Sequence, residues 1–240
     1  MTCNRTQITM TTLTALKTEL QQLADPIQKK NLQRFFKTAK GEYGEGDVFF
    51  GIKVPLQRKV AKKYLELPLT DLRWLLNSNI HEHRFTALVV LINQYNKTSD
   101  KQRIFDFYIQ NRTRINNWDL VDISAPKIVG VHLLDNPRKI LYQLAKSPEL
   151  WDRRIAIIAT HTFIKHKDFI DTLHLAKILL NDQHDLIHKA VGWMLREVGK
   201  QELTVAETFL NQHYQVMPRT MLRYAIEKFT EENRKFYLAK

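Results

Sequence analysis

Apolar residues recur at helical spacing from one end of the chain to the other. Leu13, Leu16, Leu20 and Leu23 make the first stripe, the three- and four-residue steps of one helix face. It should end at Asp25-Pro26, where an aspartate can cap and a proline can open the next helix. That helix carries Leu32, Phe35 and Phe36. Four of the seven glycines then fall between 41 and 51, which predicts a loop over 40–51. No Gly-Lys-Ser/Thr follows, and Glu42, Glu45 and Asp47 would repel a phosphate, so it is not a phosphate loop. Pro55 should start a basic helix with Arg58, Lys59, Lys62 and Lys63. A further helix carries Trp74, Leu75 and Leu76, with Trp74 and Trp151 read as core. Long alternating runs are missing, which predicts essentially no sheet.

Beyond this point the pattern repeats. Arg84, Asp119, Arg154 and Lys189 lie 35 residues apart, and each opens a short apolar run. A period of 35 without strand signals marks stacked helix pairs. The expected fold is therefore all-α, a HEAT-like α-solenoid of about six helix pairs in a single domain over 1–240. Its last variant repeat, with Arg219, Leu222 and Tyr224, closes the array. Pro126, seven residues past Asp119, should kink its helix or end it early.

Counting each of the four residues as position zero, slots +1, +2 and +5 share one face. They hold Phe85, Thr86, Val89; Leu120, Val121, Ser124; Ile155, Ala156, Ala159; and Ala190, Val191, Met194. That face should be core. The opposite arc gathers Arg84, Arg154 and Lys189, with Arg153 and His188 at −1, as a basic stripe suited to a phosphate backbone. Two residues break the repeat. At +3, where the sisters hold Ala87, Ile157 and Gly192, stands Asp122. At +4, where they hold Leu88, Ile123 and Ile158, stands Trp193. Trp118 lies one turn before Asp122. A carboxylate facing a polyanion either pairs with a neighbouring arginine such as Arg154 or does chemistry. Trp118 is either a packed aromatic or a platform for a ligand.

Composition changes this picture in two ways. The formal net charge is +12, with 37 Lys+Arg against 25 Asp+Glu, which favours a polyanionic partner. Cys3 is the only cysteine, so no disulfide framework or cysteine-based metal site can form, and a reducing, cytoplasmic setting is expected. No stretch suggests a signal peptide or a membrane span. His184 and His188 have i,i+4 spacing but lack a third ligand, so no metal is expected. Cys3 has no partner histidine nearby to make it a nucleophile.

Three words together carry a family resemblance: Asn117-Trp118-Asp119-Leu120-Val121-Asp122, Trp151-Asp152-Arg153-Arg154-Ile155-Ala156, and Lys189-Ala190-Val191-Gly192-Trp193-Met194-Leu195-Arg196-Glu197. In this order, from about Leu32 to the last repeat, the chain resembles the AlkD family of bacterial DNA alkylation-repair glycosylases. The resemblance implies a monomeric enzyme of base-excision repair that needs no cofactor. It would remove positively charged N3- and N7-alkylpurines from duplex DNA by hydrolysis of the N-glycosyl bond. Asp122 would be the catalytic carboxylate, Trp118 and Trp193 its aromatic companions, and Arg154 a contact to the DNA backbone. Phe35 departs from a tyrosine that better-known members place in the second helix, and loop 40–51 is longer than in some members. The rival reading is a non-catalytic HEAT-like scaffold for nucleic acid, branched DNA or an acidic protein.

Overall fold

The computed structural model describes residues 12–239, so Cys3 lies outside the described residues. The helices gather into two compact units, divided between Ser99 and Asp100. In the first, α1 (Leu13–Gln22), α2 (Pro26–Phe35), α3 (Val54–Ala61) and α4 (Leu69–Leu76) precede the long α5 (His81–Lys97). The Asp25 carboxylate accepts from the Ile27 and Gln28 amides, and Pro26 occupies the first turn of α2, as the sequence predicts. α5 packs against α1, α3 and α4 and is buried from His81 to Ile92. Its charged residues are therefore expensive to bury unless they are paired.

Loop 40–51 uses those charges. Glu82 is fully buried and accepts from the backbone amides of Phe50, Gly51 and Ile52 at 3.0, 2.8 and 3.1 Å. Asp47 receives Arg84 Nη2 at 2.6 Å, while Arg84 Nη1 donates to the Ser78 carbonyl at 2.8 Å. Burial pushes the Asp47 carboxyl up, but His81 and Arg84 together outweigh it and hold the group below its ordinary value. The acidic residues expected to repel phosphate thus organise the loop itself. Glu42 and Glu45 accept from the Ala39 and Gly41 amides. Gly51 has a φ of +91°, and a Cβ there would stand 2.2 Å from the Asp25 carbonyl oxygen, so only glycine fits. Among the described residues the extended pairing amounts to one parallel bridge, Val48 with Ile80.

The second unit runs α6 (Lys101–Gln110), α7 (Trp118–Ala125), α8 (Lys139–Leu144), α9 (Leu150–Ala159), α10 (His161–Lys165), α11 (Ile170–Ile178), α12 (Asp185–Gln201), α13 (Leu203–His213), α14 (Arg219–Ala225) and α15 (Glu231–Leu238). α9 packs between α7 and α12, and α12 lies against α13 and α14. The fold is an all-helical α-solenoid. The apolar face read from the repeat is buried at every position named for it in α5, α7, α9 and α12. α14 approaches α12 at Gly192, where a Cβ would meet the Met221 carbonyl oxygen at 2.4 Å and Tyr224 Cβ at 2.5 Å. Glycine at the +3 slot is therefore a packing requirement behind Trp193.

Candidate functional site

α7 is short because its sequence sets both ends. Asn117 Oδ1 accepts from the Trp118 amide at 2.8 Å and caps the start. At the other end Pro126 has no N–H to give the Asp122 carbonyl four residues back. The chain continues in a π-helical turn over Pro126–Gly130, a local widening often found at functional sites. Below α7, the Tyr108 hydroxyl lies 3.0 Å from Ser124 Oγ. Burial pushes that hydroxyl well above its ordinary value, so it stays protonated as a structural tie between α6 and α7.

Asp122 projects from this helix into a bidentate pair. Arg154 Nε donates to Oδ1 at 2.9 Å and Nη2 to Oδ2 at 2.8 Å, the fork geometry that gives arginine–carboxylate pairs their directional strength. Arg154 Nη1 donates to the Leu186 carbonyl at 2.6 Å, so one guanidinium on α9 joins α7 to α12. The Asp122 side chain is 16% exposed and that of Arg154 6%. Burial pushes the Asp122 carboxyl above its ordinary value and outweighs Arg154, which pulls it down; Asp119 adds a smaller upward push. A carboxylate whose charge is poorly solvated gains most from a cation that forms or arrives beside it.

Trp118, one turn before Asp122, is half-buried at the head of α7. Trp193 is half-buried on α12, with its Nε1–H donating to Glu197 Oε1 at 3.1 Å. The Trp193 ring centroid lies 5.9 Å from that of His161. Glu197 closes the third sequence word, whose motif alone does not show this contact. The i,i+4 spacing from Trp193 was the available signal.

The basic stripe is mostly not a surface. Arg84 is 1% exposed and belongs to the Asp47 pair, so it is a core residue of the first unit. Arg154 is committed to Asp122 and Leu186 and offers no exposed guanidinium to a phosphate. Arg153 Nε donates to Asp182 Oδ2 at 2.6 Å, and Nη1 to the Ser147 and Pro148 carbonyls. His188 Nε2 lies against the Asp182 carbonyl oxygen. Lys189, with 39% of its side chain exposed, pairs with Asp185 one turn earlier and is more open than the three arginines. The physical reason lies at +3 and +4. Ala87, Leu88, Ile157 and Ile158 carry apolar surface round to that side of α5 and α9, so Arg84 and Arg154 are buried there beside acidic partners.

Trp74 also departs from expectation: it is 71% exposed on α4 and is not core, whereas Trp151 is half-buried. Phe35 is 61% exposed and meets Phe36 edge-on at 5.1 Å. His184 caps α12 by accepting from the Leu186 amide. Among the described residues no three His, Cys, Asp or Glu side chains gather as a metal site. No helix among them is long and apolar enough to cross a membrane.

The model of a family described as DNA alkylation repair enzyme matches residues 16–229. No curated protein matches the sequence. A solved structure, a predicted DNA alkylation repair enzyme from Enterococcus faecalis, shares the fold. Its TM-score is 0.69 at 18% identity, over 87% of this chain and 97% of that one. With the family model spanning nearly the whole chain, the protein belongs to the DNA alkylation repair enzyme family.

Proposed function

We propose that this protein is a DNA glycosylase that excises positively charged N3- and N7-alkylated purines from duplex DNA, acting as a cytoplasmic monomer in base-excision repair. The observation that carries the reading is Asp122, a poorly solvated carboxylate held bidentately in place one turn from an indole. Alkylation gives the base a formal charge, so it leaves with the glycosidic electron pair and needs no protonation. The deoxyribose then develops oxocarbenium character, and a preorganised carboxylate stabilises that cation without having to reorganise. Trp118 and Trp193 offer π faces to the same charge. Water adds at C1′ and gives its proton to Asp122, which passes it to solvent. Arg154 serves here as the residue that aims Asp122. The charged base activates its own departure, so the reading invokes no cofactor.

The rival, a nucleic-acid scaffold without excision, gives the held carboxylate no role beyond stacking α7 on α9. Chromatographic release of 7-methylguanine and 3-methyladenine from alkylated duplex DNA decides between them. Wild-type protein releases both bases, and Asp122→Asn lowers the rate by about 10²-fold or more while keeping DNA affinity. No release by the wild type sinks the proposal. So does an Asp122→Asn protein that releases base at the wild-type rate.

A further inference from the structure

The Trp193 indole is anchored by its edge. Its ring is free to adopt either of two broad χ2 orientations until something holds the N–H, and Glu197 Oε1 holds it at 3.1 Å. Glu197 is itself fixed. Lys200 Nζ donates to its two oxygens at 2.8 and 3.1 Å, Arg196 Nε lies 3.5 Å from Oε1, and the Glu197 side chain is 16% exposed. Burial pushes the Glu197 carboxyl up, but Lys200, the indole N–H and Arg196 outweigh it and hold it below its ordinary value. It therefore remains an acceptor at neutral pH. Lys200 and Arg196 also offset its charge, so the indole meets an acceptor more than a net negative field.

We infer that Glu197 is a positioning residue, whose acceptor oxygen sets the Trp193 ring so that one face is presented to the cation formed at the sugar. This rests on the excision reading above. A cation over an indole face gains most when it is centred on the ring, so a ring free to turn loses selectivity for charge before it loses affinity for DNA.

The test uses duplexes with one of two abasic analogues of the same shape: a pyrrolidine, protonated at its ring nitrogen, and a neutral tetrahydrofuran. Wild-type protein binds the pyrrolidine duplex more tightly. Glu197→Ala lowers that preference by about 5- to 10-fold and leaves tetrahydrofuran binding within about twofold. Glu197→Gln, whose amide oxygen still accepts, keeps the preference within about twofold. In NMR spectra the Trp193 indole N–H resonance, assigned with Trp193→Phe, shifts in Glu197→Ala and stays near its place in Glu197→Gln.

Equal weakening of both analogues in Glu197→Ala would mark a merely structural residue and overturn the inference. Loss of the preference in Glu197→Gln with an unmoved resonance overturns it as well. If the wild type releases alkylpurine and prefers pyrrolidine, and Glu197→Ala does the same, only the positioning role falls. If the wild type neither releases base nor distinguishes the analogues, the excision reading falls and takes this one with it.

Discussion

Single ionisable groups in this protein have environments that translate directly into pH dependence. On the excision mechanism proposed above, Asp122 acts as a carboxylate, and burial has moved its folded-state value upward. As pH falls through that raised value the group takes a proton and the oxocarbenium loses its counter-charge. The acid limb of excision should therefore lie above the range near 4 typical of an exposed aspartate, as a pH profile of single-turnover rates would show. A limb at or below 4 means the carboxylate is fully solvated during reaction. His83 gives a stability effect of the same origin, burial, with its shift in the opposite direction. It is 3% exposed, and burial, with Lys17 and Arg84 nearby, lowers its value from 6.5 to about 4. The unfolded chain takes up this proton first as pH falls, so stability is fully present above 6.5 and is lost on descending toward 4. Between pH 7 and 5 the loss is about 2 kcal/mol. Urea midpoints at the two pH values should show it in the wild type and much less of it in His83→Gln.

Helices rather than residues decide where the charges of the repeat end up. Arg84 and Lys189 occupy the same slot of the first and fourth repeats, yet α5 is buried through that turn while α12 leaves Lys189 at 39% side-chain exposure. Arg84→Ala should destabilise the first unit by about 3–5 kcal/mol, because it leaves Asp47 buried without its cation. Lys189→Ala should leave the melting temperature nearly unchanged. Thermal melts of the two variants test this, and similar melting temperatures would mean that α5 is open to solvent at Arg84. The period of 35, the cap at Asp25 and the helix end at Pro126 were legible because each depends on a few neighbouring residues. Burial of most of the −1, 0, +3, +4 side of α5 and α9 is not legible from one helix alone, although Ala87, Leu88, Ile157 and Ile158 stand there. The exposed side of a helix depends on what packs against it, and one helix's periodicity cannot report a second neighbour. The same reason applies to Trp74: an indole beside Leu75 and Leu76 looks like core, yet only the leucines are buried where α4 packs on α5. The odd residues of the site, Asp122 and Trp193, stood out because neighbouring repeats supplied an internal comparison.

At the scale of the whole molecule, a net charge of +12 outlasts the loss of the stripe, since pairing inside the fold does not change the total. Duplex DNA affinity should fall by about 10³-fold between 50 and 200 mM salt if about 6 phosphates are neutralised. Fluorescence anisotropy across a salt series measures this, and a flat titration would remove the polyanion from the account. Arg154 sets a different kind of tolerance. Two of its bonds end on a side chain, Asp122, but the third ends on the main-chain oxygen of Leu186. A carbonyl oxygen is the same whatever residue carries it. Position 186 can therefore drift through many side chains without loosening the carboxylate, while Asp122 and Arg154 can change only together. Of the three bonds that hold Arg154, one is specified by shape alone and leaves no motif for a sequence to display.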